Sequence, residues 1–171
     1  MNAIIVSALL GVIMMFVSWG TTSSKLQRSI GLFGMLVLII ANLAQLDHWW
    51  AIEFDTKGML AFNQMGLYAN TILFIITFIY LWLNGEEIGK VGDHSADYYA
   101  IFFFILCGVS LLTSFNNLLM LFIGIEILSI PLYILTGADK KNLNSNEAAL
   151  KYFLMGAFST GIFLLGITFI L

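Results

Sequence analysis

Charge is scarce in this chain. Asp, Glu, Lys and Arg make up only 10% of its 171 residues, against about 25% in a typical soluble domain. Cysteine is reduced to Cys107, which excludes an internal disulfide and says nothing about redox compartment. The two histidines, His48 and His94, stand far apart in polar connections, and no Cys/His cluster offers the spacing of a metal site. No GxGxxG or Walker-type loop is present, so nucleotide binding has no support. A net charge of −3 leaves no basic footprint for nucleic acid. Proline occurs once, at Pro131, inside an apolar run.

What fills the chain instead is hydrocarbon. Apolar residues account for 60% of it and the mean hydropathy is +0.96. A water-soluble fold has no means to cover that much apolar surface, so the expected class is all-α, a polytopic bundle of membrane helices. Six spans are expected: Ala3–Trp19, Ile30–Leu46, Leu67–Leu83 (with a start as early as Met59 also compatible), Tyr98–Phe115, the stretch from Asn117 to Thr136, and Ala148–Leu171. The first has neither the basic n-region nor the small-residue cleavage site of a secretory signal, so it reads as a helix. Its Ser7 and Gly11 form a small-xxx-small pair suited to close packing. Gly156, Ala157 and Gly161 suggest the same for the sixth.

The connections carry the polar residues. Gly20–Ser29 reads as a turn with Lys25 and Arg28. Asp47–Lys57 holds His48, Glu53, Asp55 and the headgroup-seeking pair Trp49–Trp50. Asn84–Asp97 is the most polar stretch, and Gly137–Ser145 carries Lys140 and Lys141. Asn144 and Glu147 stand in capping-box spacing ahead of the last span. Lys25, Arg28, Lys90, Lys140, Lys141 and the adjoining Lys151 fall on one side, with only Lys57 on the other. By the positive-inside rule the basic side is cytoplasmic and the N-terminus is outside. Leu171 closes an apolar run with no polar anchor behind it, which reads as the N-terminal part of a longer protein.

One acid stands out. Asn117–Thr136, NLLMLFIGIEILSIPLYILT, is twenty residues long and holds a single carboxylate, Glu126. At about 1.5 Å per residue such a run spans roughly the 30 Å hydrocarbon layer, which puts Glu126 near mid-depth. An ionised acid there costs about 2.5–3.5 kcal/mol, and residues retained at that cost usually mark an ion or proton path. Helical spacing gives Glu126 a common face with Ser129, Ile130 and Tyr133, with Thr136 nearby, while Leu119, Phe122 and Ile123 keep the other half dry. A strip of hydroxyls on one side and a greasy stop on the other suits half-access proton transfer. Pro131 lacks an N–H, so the carbonyl of Ile127, next to Glu126, loses its helical donor. Lys151 lies a turn or two inside the last span, about 6 Å from its end by the helical rise, with Glu147 as an i,i+4 partner. It reads either as the entrance of the path or as a snorkelling surface lysine. The bland counterparts of the other features are a protonated Glu126 holding helices together, hydroxyls bonded to their own backbone, and a simple proline kink.

These residues carry a wider pattern. Phe115–Gly137, FNNLLMLFIGIEILSIPLYILTG, followed by Asn146–Gly166, NEAALKYFLMGAFSTGIFLLG, resembles the antiporter-like membrane subunits of proton-translocating NADH–quinone oxidoreductase, respiratory complex I. The motif is Gly-x-Glu-x-x-Ser-x-Pro-x-Tyr, then Glu-Ala-x-x-Lys-Tyr. Subunits L and M of that group, and the cation/proton antiporter subunits, typically have Trp-Glu where this chain has Ile125-Glu126, which favours the subunit N branch. The resemblance covers Tyr98–Leu171; the first three spans agree in number and placement only.

The resemblance implies a fourteen-helix protein with two inverted five-helix repeats. Residues 1–97 would form three preceding helices, and residues 98–171 the first three helices of a truncated proton-translocating repeat. Glu126 would match the family's glutamate on helix five and Lys151 a lysine on helix six. NADH, FMN, iron–sulfur clusters and quinone would belong to partner subunits, with no cofactor in this chain. The expected partners are the other membrane subunits of complex I and the lipid bilayer. The expected location is the inner (plasma) membrane of a bacterium, crossed several times. A cation/proton antiporter subunit and a non-pumping membrane scaffold remain the alternatives.

Overall fold

In a hydrocarbon layer the backbone of a spanning segment must be satisfied by a helix or a closed barrel, and apolar runs of this length suit the helix. The computed structural model, which describes residues 1–21, 23–47, 49–50, 52, 55–88 and 95–170, has six such helices. They are α1 (Asn2–Gly20), α2 (Ser24–Leu46), α3 (Gln64–Ile88), α4 (Ser95–Leu112), α5 (Leu118–Thr136) and α6 (Leu143–Ile170). All six are long and apolar enough to cross a membrane. His48, Glu53, Lys90 and His94, and the terminal Leu171, lie outside the described residues.

Several boundaries differ from the sequence reading, each for a local reason. α2 begins at Ser24, so Lys25 and Arg28 occupy its first turns and not a loop. Arg28 is held there by donating to the Trp82 carbonyl at 2.7 Å, near Glu86 at 3.8 Å. α3 does not reach back to Met59, because that segment is tied elsewhere. Ala61 donates to the Ser114 carbonyl at 2.8 Å and Asn116 donates to the Met59 carbonyl at 3.0 Å. The same pairing, a bridge between Leu60 and Phe115, ends α4 at Leu112 instead of Phe115. Lys57 and Gly58, at φ of 50° and 74°, turn the chain into this bridge. α6 starts ahead of the expected capping box. Its cap is Asn142, whose side-chain oxygen accepts from the Asn144 N–H at 3.0 Å, while Asn144 and Glu147 lie inside the helix.

Helices α1 to α4 share one interior, lined by Met14, Met35, Leu38, Phe74, Leu81, Tyr99 and Phe103. Small residues let the helices close up. Gly11 lies under the Phe104 ring, Gly31 under Tyr99 and Gly34 under Phe103. Buried amides then bond across the bundle. Asn2 joins α1 to α2, its N–H donating to Gln45 at 2.9 Å and its side chain to the Ala41 carbonyl at 3.3 Å. The Gln27 oxygen, on α2, accepts from the Ser95 hydroxyl and the Ala96 N–H at the start of α4. Asn42 donates to the Leu67 carbonyl at 3.0 Å and the Thr71 hydroxyl at 2.8 Å on α3. The Thr113 hydroxyl donates to Asn70 at 3.0 Å.

The last two helices are attached differently. α5 lies against α4 through two glycines. A Cβ on Gly108 would meet the backbone of Leu128 at 2.7 Å, and one on Gly124 would meet the Leu112 side chain at 2.8 Å. α6 then packs on the far side of α5. Only Gly124 and Pro131 are buried on α5, and only Ile167 on α6.

Candidate functional site

The position of Glu126 follows from how α5 is started and docked. Asn117 caps the helix, its side chain accepting from the Leu119 N–H at 3.0 Å. Nine residues later, about 13 Å along the axis, comes Glu126. The two glycine contacts at Gly124 and Leu128 bracket it and bind this part of α5 to α4. The helix continues without interruption through the buried Pro131. Proline has no N–H to offer, so the Ile127 carbonyl lacks its usual i+4 donor, one residue from the acid.

Glu126 is half-buried, and among the described residues its carboxylate takes part in no hydrogen bond or ion pair. Its helix face is set by its neighbours. Four residues before it, Phe122 stacks on Phe163 of α6 with ring centroids 6.4 Å apart. Seven residues after it, Tyr133 meets Tyr152 edge to face at 4.9 Å and Phe153 at 5.7 Å. Beyond Tyr133, a Cβ on Gly137 would touch Ala149 at 2.8 Å. Glu126 therefore lies in the α5–α6 seam, between an aromatic stack on one side and an aromatic cluster on the other. Ser129, three residues after Glu126, is also half-buried, whereas Ile130 beside it is exposed.

Tyr133 is placed by a gap in α6. Its ring and hydroxyl occupy the space that any side chain at Gly156 would fill. Thr136 is exposed and its hydroxyl donates to the Leu132 carbonyl at 2.9 Å, within its own helix. The α5 end is finished by Ser145, which donates to the Thr136 carbonyl at 2.8 Å and holds the connection to α6.

Lys151 is brought to a different partner. It pairs with Glu147 at 2.5 Å, with 70% of its own side chain and 61% of that of Glu147 accessible. The aromatic register puts it level with Ile134, about 12 Å along the seam from Glu126. Tyr133 is therefore the sequence-predicted hydroxyl that meets α6, Glu126 and Ser129 stand on α5 seven and four residues before it, and Lys151 is paired to Glu147, outside contact with the acid. Among the described residues no three His, Cys, Asp or Glu side chains converge in a way that suits a metal ion. Cys107 is buried, its sulfur directed to the Ile4 carbonyl at 3.7 Å.

The polar residues that the sequence reading missed are the buried amides Asn2, Gln27, Asn42 and Asn70. All four are uncharged, and a search for charges passes over them; Gln27 is further hidden among the polar residues at the start of α2.

Comparison with known proteins gives a consistent result. The family described as NADH:quinone oxidoreductase/Mrp antiporter, transmembrane region, matches residues 115–171, which hold all of α5 and α6. NADH-quinone oxidoreductase subunit N from Cytophaga hutchinsonii is 38% identical over 99% of this chain, which covers 36% of that protein. The subunit N of Flavobacterium psychrophilum is 34% identical, with the same two coverages of 99% and 36%. NAD(P)H-quinone oxidoreductase subunit 2 from Trichormus variabilis is 32% identical over 98% of this chain and 32% of its own length. The chain spans about a third of the length of these relatives. With six membrane-type helices, this multi-pass membrane chain is similar along nearly its whole length to N subunits of NADH-quinone oxidoreductases, and its α5–α6 segment matches the NADH:quinone oxidoreductase/Mrp antiporter transmembrane family.

Proposed function

We propose that this chain acts as an antiporter-like membrane subunit of an NADH–quinone oxidoreductase and moves protons through Glu126. Quinone reduction takes place elsewhere in the assembly, in partner subunits that carry NADH, FMN, iron–sulfur clusters and quinone. The observation that carries the reading is the setting of Glu126: half-buried, mid-helix, in the α5–α6 seam with Tyr133, and beside a helix position relieved by Pro131. A carboxyl in such a place changes protonation with its surroundings. Loss of water favours the neutral acid, and approach of a cation or a hydrogen-bond donor favours the carboxylate. Alternation between the two conditions takes up a proton on one side and releases it on the other.

In this reading residues 98–171 begin the proton-translocating repeat, and residues 1–97 supply three helices that pack against its first helix, α4. The basic connections face the cytoplasm and the N-terminus lies outside, in the inner membrane of a bacterium. Ser129 and Tyr133 line the route, and Lys151 stands at its cytoplasmic entrance.

The test is Glu126→Gln in the intact complex, which keeps shape and hydrogen bonding but removes the exchangeable proton. Proton transfer falls while the assembled complex is retained. Unchanged proton transfer would leave Glu126 as a helix contact and favour a scaffold. The second reading, a cation/proton antiporter subunit, is favoured by the family description, which spans both classes. Purification of the native complex separates them, because NADH oxidation accompanies only the first.

A further inference from the structure

The α5–α6 seam has a second polar member that the site described above does not use. On α6 the residues turned toward α5 recur at alternating steps of four and three. Ala149, Phe153, Gly156 and Phe163 all make contacts with α5. Thr160 is the position that completes this series between Gly156 and Phe163. Its burial agrees: Thr160 is partly covered, whereas Ala157, Phe158, Ser159 and Gly161 around it are exposed. The depth agrees as well. From the Phe122–Phe163 stack, one turn along each helix toward the Tyr133–Tyr152 contact reaches Glu126 on α5 and the Ser159–Thr160 step on α6.

We infer that Thr160 is the positioning residue for Glu126, its hydroxyl donating a hydrogen bond to the carboxylate across the seam. This inference rests on the proposed titration of Glu126 and extends it to a named partner. The chemistry suits the place. In the structure the Thr160 hydroxyl donates to the Ala157 carbonyl at 3.2 Å, a long bond to its own helix. Threonine in a helix has two accessible χ1 settings, one of which makes such a backbone bond. When Glu126 is neutral the hydroxyl rests on Ala157; when Glu126 is ionised, rotation about a single bond delivers the O–H to it. A donor to the charged form lowers the cost of the carboxylate in an apolar seam. Thr160 itself neither gains nor loses a proton. Glycine at position 156, which makes room for the Tyr133 ring, keeps the helices near enough for a short side chain to reach.

The experiment uses the intact complex and reads the protonated carboxyl directly. Infrared difference spectra across a pH titration are recorded for the native protein, Glu126→Gln, Thr160→Val and Thr160→Ser. The carboxylic C=O band lost in Glu126→Gln identifies the acid. The expected result is that Thr160→Val moves the midpoint of that band to higher pH and slows proton transfer several-fold, while Thr160→Ser restores both. Valine matches threonine in shape, so a purely structural role would leave the midpoint in place. A midpoint unmoved in Thr160→Val, with the band still absent from Glu126→Gln, overturns the role of Thr160 and leaves the Glu126 reading standing. If no band depends on Glu126, both fail together.

Discussion

The α1–α4 bundle and the α5–α6 pair are built from the same apolar residues and held by opposite means. In the bundle, buried amides bond from helix to helix: Asn2 to Gln45, Gln27 to Ser95, Asn42 to Thr71, Asn70 to Thr113. In the pair, contact is made by glycines and aromatic rings, and the described polar side chains bond chiefly within their own helices or connections. Apolar packing alone gives little preference for one helix neighbour over lipid, whereas a satisfied amide fixes a partner and a register. Glu126, the acid proposed to carry the proton, thus lies in the part whose polar side chains are not committed to a neighbouring helix. A carboxyl locked into a bonded network would titrate poorly, because every change of charge would break the network.

Four measurements break or sharpen that contrast. The largest effect is expected for Glu126→Gln, which should lower proton transfer about a hundredfold, the scale of a lost acid–base group. The thermal midpoint of the assembled protein should stay unchanged. A large fall in stability would put Glu126 among the structural residues and erase the distinction.

Next is Gly108→Val, which forces a side chain against the Leu128 backbone. Overpacking of this kind costs about 1–3 kcal/mol. The effect should be read as loosened α5, with faster labelling of a cysteine introduced on its α4 side. Wild-type labelling rates would show that α5 is held by something other than the glycine contacts.

Asn42→Leu tests the bundle. The Asn42 amide donates two bonds while its buried oxygen has no partner among the described residues. Interhelical bonds in membranes average about 0.6 kcal/mol and reach about 1.7. The expected loss lies in that range, measured by unfolding in detergent, with proton transfer intact. A gain in stability would mean that the unpaired oxygen costs more than the two bonds supply.

The smallest effect is expected for Lys151→Gln. Its partner Glu147 is exposed, and such i,i+4 pairs contribute about 0.2–0.5 kcal/mol. Thermal stability should barely change, and proton transfer should fall by less than the Glu126 variant loses. Equal losses in the two variants would make Lys151 an obligatory member of the path and not its entrance.

Much of the molecule was readable before any coordinates. The number of spans and the singular position of Glu126 followed from hydropathy, because an apolar run of that length and one carboxylate within it are both first-order signals. The ends of the helices were less readable. The start of α2 was hidden by polar residues that sit comfortably in a first turn, and Asn144 mimicked a cap that Asn142 supplies. The limits of α3 and α4 depended on a bridge between Leu60 and Phe115, a pairing of residues far apart in the chain. The buried amides were invisible as bonds, since a lone Asn or Gln does not announce its partner.

By itself the sequence determined that the chain is helical, that its helices are long and apolar enough to cross a membrane, and that a single acid stands in the middle of the fifth apolar run, since a backbone in hydrocarbon has few ways to bond and long apolar runs leave little room for charge. Only the tertiary structure decided which face of α5 meets α6, that Gly156 makes room for Tyr133, and that Lys151 turns to Glu147. The physical reason is that periodicity defines every face of a helix equally, whereas close approach of two helices is decided by the shapes of residues on both.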